Sequence, residues 1–328
     1  MPEEMTITAQ QKIKTSDDKK ESQEKKAPAR DDELWKGILD DTFEYFLRFF
    51  FPNAEELFDF KKKFVFLDKE FNRLFPPEEN SAGVRFVDKL VKVHLKNGGA
   101  KFILVHVEVQ GSKGHEELSK RMFRYFYRAK DKHNVSIAAF AVLIDHVKSY
   151  HPKIYKEEYL GTKLSYEFNT YKILDQDETK LRADPNPFAV VVLTVLMALK
   201  NKKIKDDQLK EIKMDLTREL IKRKVSKVKH DKIMAFLAYY VNFEKQEMMR
   251  IFEKEVQQLT GRTTPMGVKE ILLERRKKEG IEIGIEQGEA IGRHAEALEI
   301  AREMKKDKFP IEKIAKLTKL PVEEIQAL

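Results

Sequence analysis

The sequence predicts an α/β fold, with a helix-flanked sheet followed by a largely helical C-terminal region. Three observations predict it. Four short runs, "FVFLD", "VRFVDKLVKV", "KFILVHVEVQ" and "SIAAFAVLID", are apolar or alternate apolar with polar residues, as strands do. A stretch with helical periodicity, "EELSKRMFRYFYRAKDKH", lies between the third and fourth. From about Pro185 onward the pattern is almost wholly helical.

Taken in order, residues 1–32 are rich in Lys, Glu, Gln, Asp and Ser and read as a disordered tail. They hold too little apolar surface to offset the entropy of ordering. Order is expected from near Leu34, where "LWKGILDDTFEYFLRFFFP" sets apolar residues at helical spacing and stops at Pro52. The sheet region spans residues 33–180, and "NGG" at 97–99 reads as the hairpin turn between the second and third runs. Residues 181–262 form a helical region. Its run "FAVVVLTVLMAL" is too short to span a bilayer and reads as a buried helix. In residues 263–328, Gly280, Gly284, Gly288 and Gly292 recur every four residues as one drifting stripe. Each interior Gly weakens a helix by roughly 1 kcal/mol relative to Ala. Two readings follow: a groove for another helix, as in a homodimer, or a low-complexity tether that frays. The tether is the simpler. The ending "FPIEKIAKLTKLPVEEIQAL" reads as two short helices joined by a tight turn, a helix-turn-helix-like tail.

The 328 residues are 41% hydrophobic and 36% charged, enough for a core but with more charge than usual. The net charge of +8 suggests a polyanionic partner, although a Lys- and Glu-rich protein without one has the same composition. There is no cysteine, which removes disulfides, thiolate metal sites and thiol nucleophiles together. The start lacks a basic segment followed by an apolar one, so no signal peptide is read. A cytoplasmic protein with no membrane contact is the expectation. Phosphate-binding Gly-rich loops with Lys-Ser or Lys-Thr, a Gly-x-Ser-x-Gly elbow and a two-His metalloprotease helix are all missing from the sequence.

The third run carries the candidate site. Successive strand side chains alternate between faces, so Phe102, Leu104, His106, Glu108 and Gln110 share one face and Ile103, Val105, Val107 and Val109 the other. The polar residues cluster at one end of one face. Asp88 interrupts the neighbouring run, about as far before "NGG" as Glu108 lies after it. Two carboxylates at one level of adjacent strands can share a divalent cation, and oxygen ligands suit Mg²⁺ or Mn²⁺. The residues alone leave open a second reading, in which Glu108 pairs with a Lys or Arg at the sheet end. His106 reads as a partly buried, hydrogen-bonded histidine.

The set of Asp88, a hairpin, then Glu108-Val109-Gln110 resembles the PD-(D/E)XK nuclease superfamily. Several segments are similar to the Rpn family of recombination-promoting nucleases, often labelled transposases: "LDDTFEYFL", "VDKLVKV", "VHVEVQG", "RMFRY", "NTYKIL" and "NPFAVVVLTVLMA". The Gly tetrads and the "IEKIAKLTKLPVEEI" ending resemble the tails of many members. The resemblance implies a central mixed sheet flanked by helices and a Mg²⁺-dependent DNA endonuclease with little sequence specificity, active in recombination or transposition. It implies metal ligation by Asp88, Glu108 and the Val109 carbonyl, with Gln110 placing the water. Asp40 would complete the site from the first helix, with Asp41 and Glu44 as rivals. Arg121 would contact phosphate, and Tyr125 would stack or pack. The superfamily's usual Lys is Gln110 here, which leaves the general base and the charge-stabilising group open. The alternative function is a nuclease-like scaffold that binds nucleic acid or a protein partner without cutting. A third reading is a helical interaction protein working through its Gly stripe and tail.

Overall fold

The structure, a computed structural model, describes residues 29–67, 86–108, 118–201, 204–261 and 268–328. Helix α1 (Ala29–Phe50) opens it, beginning ahead of the expected start at Leu34. It is kinked at Thr42, whose backbone leaves the helical region and whose hydroxyl donates to Ile38 O. Such back-bonding bends helices. Carbonyls around the bend find side-chain donors from far along the chain: Lys229 Nζ donates to Asp41 O, and Asn186 Nδ2 to Tyr45 O (2.9 Å).

After a single turn, α2 (Ala54–Leu57), come three strands, β1 (Val65–Phe66), β2 (Phe86–His94) and β3 (Ala100–Glu108). They pair antiparallel in chain order. The β2–β3 hairpin turns where "NGG" predicts, with Gly98 and Gly99 at φ of 91° and 82°, values that a side chain would strain. Helix α3 (Leu118–His133) then crosses over, and β4 (Ile137–Leu143) runs parallel to β3. A two-stranded ribbon, β5 (Ile154–Tyr159) and β6 (Thr162–Glu167), precedes β7 (Asn169–Lys172), which joins the main sheet parallel to β4. The main sheet is therefore mixed and five-stranded, in the order β1-β2-β3-β4-β7.

A 3₁₀ turn (Ile173–Asp175) leads to five helices: α4 (Glu178–Ala183), α5 (Phe188–Lys200), α6 (Asp206–Ile221), α7 (Lys227–Tyr240) and α8 (Gln246–Thr260). The apolar run at 188–199 is the buried helix expected: nearly every residue of α5 is buried, and Asn186 Oδ1 accepts from Phe188 N at its start. One face of the sheet, with Val91, Val93, Ile103 and Val105, shares a single core with α1 and with α5 to α8. Phe46 lies at its centre, stacked on Phe43 and edge-on to Phe188, each pair with ring centroids 5.4 Å apart. The other face, with Leu90, Leu104, Ala141 and Leu143, packs under α3.

The Gly-bearing segment is a continuous helix, α9 (Val268–Lys306), not a frayed tether. Among the described residues, nothing beyond the helix's own backbone lies within 4 Å of where a Cβ would sit on any of its four Gly residues, so none of those residues packs on the stripe. Its end packs with α10 (Ile311–Thr318) and α11 (Val322–Ala327) around Ala301, Ile314, Leu320 and Ile325. The two short terminal helices are as expected, joined through Lys319 in the left-handed conformation. Among the described residues no helix is long and apolar enough to cross a membrane.

Candidate functional site

The hairpin register decides how the candidate carboxylates relate. Five residues separate His94 from Ala100, so the turn centres on Asn97. Asp88 therefore stands opposite His106, and Glu108 opposite Phe86. The expectation that Asp88 and Glu108 lie at one level is off by two residues. Opposed residues share a face, and so do residues two apart, so Asp88, His106 and Glu108 fall on one face of neighbouring strands. Diagonal neighbours of this kind sit roughly 7–8 Å apart at their Cα atoms. Their side chains, with Val109 and Gln110, lie outside the described residues.

Helix α3 covers that face. Leu118, Met122, Tyr125 and Ala129, spaced three and four apart, form its buried stripe. His106 is fully buried, more so than its sequence suggested, and its ring lies 6.4 Å from that of Tyr125. Arg121 is one turn nearer the helix start, at the flank of the buried stripe. The structure thus brings the helix bearing Arg121 and Tyr125 onto the face that carries Asp88 and Glu108. Tyr125 is buried and packs.

Asp40 belongs to the other layer. It lies on α1, and its Oδ1 accepts from Lys89 Nζ at 2.8 Å. Lys89 follows Asp88 and so points to the opposite sheet face, where it is 3% exposed beneath the Phe66 ring. Of the two rivals, Glu44 pairs with Arg48 (3.3 Å) and Lys229 (3.8 Å), and Asp41 meets Lys229 through its carbonyl. Among the described residues no three His, Asp or Glu side chains form a metal-ligating group.

The sequence reading missed a second feature at the same end of the sheet. The registers place Glu108, Leu143 and Lys172 in one row across β3, β4 and β7. Lys172 Nζ donates to both oxygens of Asp145 (2.8 and 2.9 Å), to Val147 O (2.8 Å) and to Tyr150 O (3.2 Å). Both charged side chains are 1% exposed. This ion pair fixes the segment leaving β4 where it passes the row containing Glu108. The signal for it was a lysine in "NTYKIL" and an aspartate closing "AFAVLID", each set in an apolar run.

No family model, curated protein or solved structure matches the chain.

Proposed function

We propose that the protein is a Mg²⁺-dependent DNA endonuclease that hydrolyses phosphodiester bonds with little sequence preference, resembling the Rpn family. The observation that carries the reading is the shared face: Asp88 and Glu108 on adjacent strands, two residues out of register, under the helix that bears Arg121.

The donor set fits a hard divalent cation. Two carboxylates at diagonal positions span the distance that two metal–oxygen bonds of roughly 2.1 Å and two side chains can close. Asp88, Glu108 and the Val109 carbonyl would hold Mg²⁺, or Mn²⁺ in its place. When bound, the ion supplies a more acidic water and neutralises charge on the phosphate. Gln110 orients the water by hydrogen bonding, without adding charge. Arg121 grips a phosphate oxygen pair through its planar fork. Tyr125, packed near His106, holds α3 in place so that Arg121 keeps its position. Asp40, engaged by Lys89 on the other layer, acts on the site through β2. A scaffold that binds without cutting is the second reading, and the engagement of Asp40 by Lys89 favours it.

Plasmid cleavage with and without Mg²⁺, for the parent and Glu108→Gln, is the test. Cleavage should need the ion and should fall by orders of magnitude in the variant. DNA binding in the same buffer should persist or strengthen, because a negative charge near the phosphates is gone. A variant that cuts as fast as the parent would falsify the nuclease reading of this strand.

A further inference from the structure

Helix α3 carries six Lys or Arg residues against a single Asp. Its buried stripe faces the sheet, so the basic residues occupy its flanks and outer surface. Arg121, Arg124 and Arg128 are three and four residues apart and make one row along the helix, about 10 Å long. Arg128 is exposed, and the other two are partly so. The row begins beside the sheet end that carries Glu108 and leads away from it.

Aromatic rings border this row. The ribbon β5–β6 lies against α3, and Phe123 stacks on Tyr155, with ring centroids 5.1 Å apart and planes within 15°. Phe123 also meets Tyr127 at 5.4 Å. The Tyr155 hydroxyl donates to Glu157 Oε2 (2.6 Å), which fixes that ring from the ribbon side. Holding the ribbon to the helix explains Phe123 and Tyr155. It does not explain Tyr127, which continues the ring series onto the basic surface and is 44% exposed.

We infer that the outer face of α3 is a landing platform for an unpaired stretch of polynucleotide. The phosphates follow Arg121, Arg124 and Arg128, and a base stacks on Tyr127 at the end of the Phe123–Tyr155 stack. Rows of cations beside exposed rings suit single strands, because every base has a face to stack but hides it in a duplex. The inference deepens the nuclease reading, on which it rests only for Arg121's place at the site.

Binding is measured without Mg²⁺ on the full chain, by the anisotropy of a labelled mixed-sequence oligonucleotide. The strand is used alone and annealed to its complement, in deoxyribo and ribo forms. The parent should prefer the unpaired strand. Tyr127→Ala should bind it about tenfold more weakly, with duplex binding unchanged. Tyr127→Phe should restore it, and Arg128→Ala should weaken both forms and flatten the salt dependence. Tighter binding of either sugar form, lost in Tyr127→Ala, supports the platform and names its source. Equal affinity of the parent for single and double strands overturns it, as does a preference that survives Tyr127→Ala. Plasmid cleavage by the same preparation reports separately on the nuclease reading. A protein that cuts nothing yet binds unpaired strand through Tyr127 keeps the platform and loses the nuclease.

Discussion

Lys172 and Asp145 sit at 1% exposure, where a charge is tolerable only with its counterpart in place. Removing one partner leaves the other buried and charged. Lys172→Met should therefore cost about 3–5 kcal/mol, read from chemical denaturation. The double variant Lys172→Met/Asp145→Leu should recover much of that loss, because two apolar side chains replace two paired charges. If the double variant is as unstable as the single one, the carbonyls of Val147 and Tyr150 matter more than the carboxylate. Single residues were the least legible scale in the sequence. Polarity in an apolar run flagged Asp88, His106 and Glu108. The same signal at Lys89 and Lys172 passed unread, because a lysine's partner is set by the fold: Asp40 lies 49 residues from Lys89, and Asp145 lies 27 from Lys172. The two-residue offset between Asp88 and Glu108 depends on how many residues the turn consumes, which the location of "NGG" alone does not state.

Elements with a buried face were read well, and those without one were not. β2, β3 and β4 each carry core residues, and their apolar runs marked them. The ribbon "IYKEEYLGTKLSYE" is largely solvent-exposed along β5, so no apolar period announced it; its only clear mark is the tip, where Leu160 and Gly161 have φ of 44° and 85°. The stretch "DKIMAFLAYYVNFEKQEMMRIFEKEVQQL" contains no Gly or Pro to mark a break, yet it divides between α7 and α8, where Val241 turns extended. Side chains bind these helices together. Arg223, just after α6, donates to Asp184 O, Leu181 O and Arg182 O around the end of α4, and to Glu219 in the last turn of α6. Burial pushes the Glu219 carboxyl up, but hydrogen bonds from Lys222 and Arg223 and the charges of both outweigh it and leave its pKa below the ordinary value. A carboxyl lowered on folding stabilises above its unfolded pKa, and that stabilisation is lost as pH falls through the folded value. Glu219→Gln should lower stability near neutral pH by about 1.5–3 kcal/mol. Its deficit against the parent should shrink as pH drops below about 4. An unchanged deficit across that range would trace the effect to packing.

Across the whole molecule, apolar residues collect in a large core between the sheet and the helices, a smaller one under α3, and a third where α9, α10 and α11 meet. Among the described residues, the third is built from residues 297–328. Ile314→Ala, at its centre, should speed amide exchange across α10 and α11 while leaving the sheet strands protected. Exchange quickening in β3 as well would show that the tail and the sheet open together. The large core has the opposite character, since it joins the two ends of a long stretch of chain. Trp35, the sole tryptophan, meets Phe236 edge-on at 5.4 Å and is fully buried. A ribosome adding about 5–20 residues per second leaves α1 waiting on the order of 10–40 s for that partner. Throughout that interval the part of α1 that the later helices cover is on offer to whatever meets a nascent chain. Indole fluorescence times the end of that exposure from a single position.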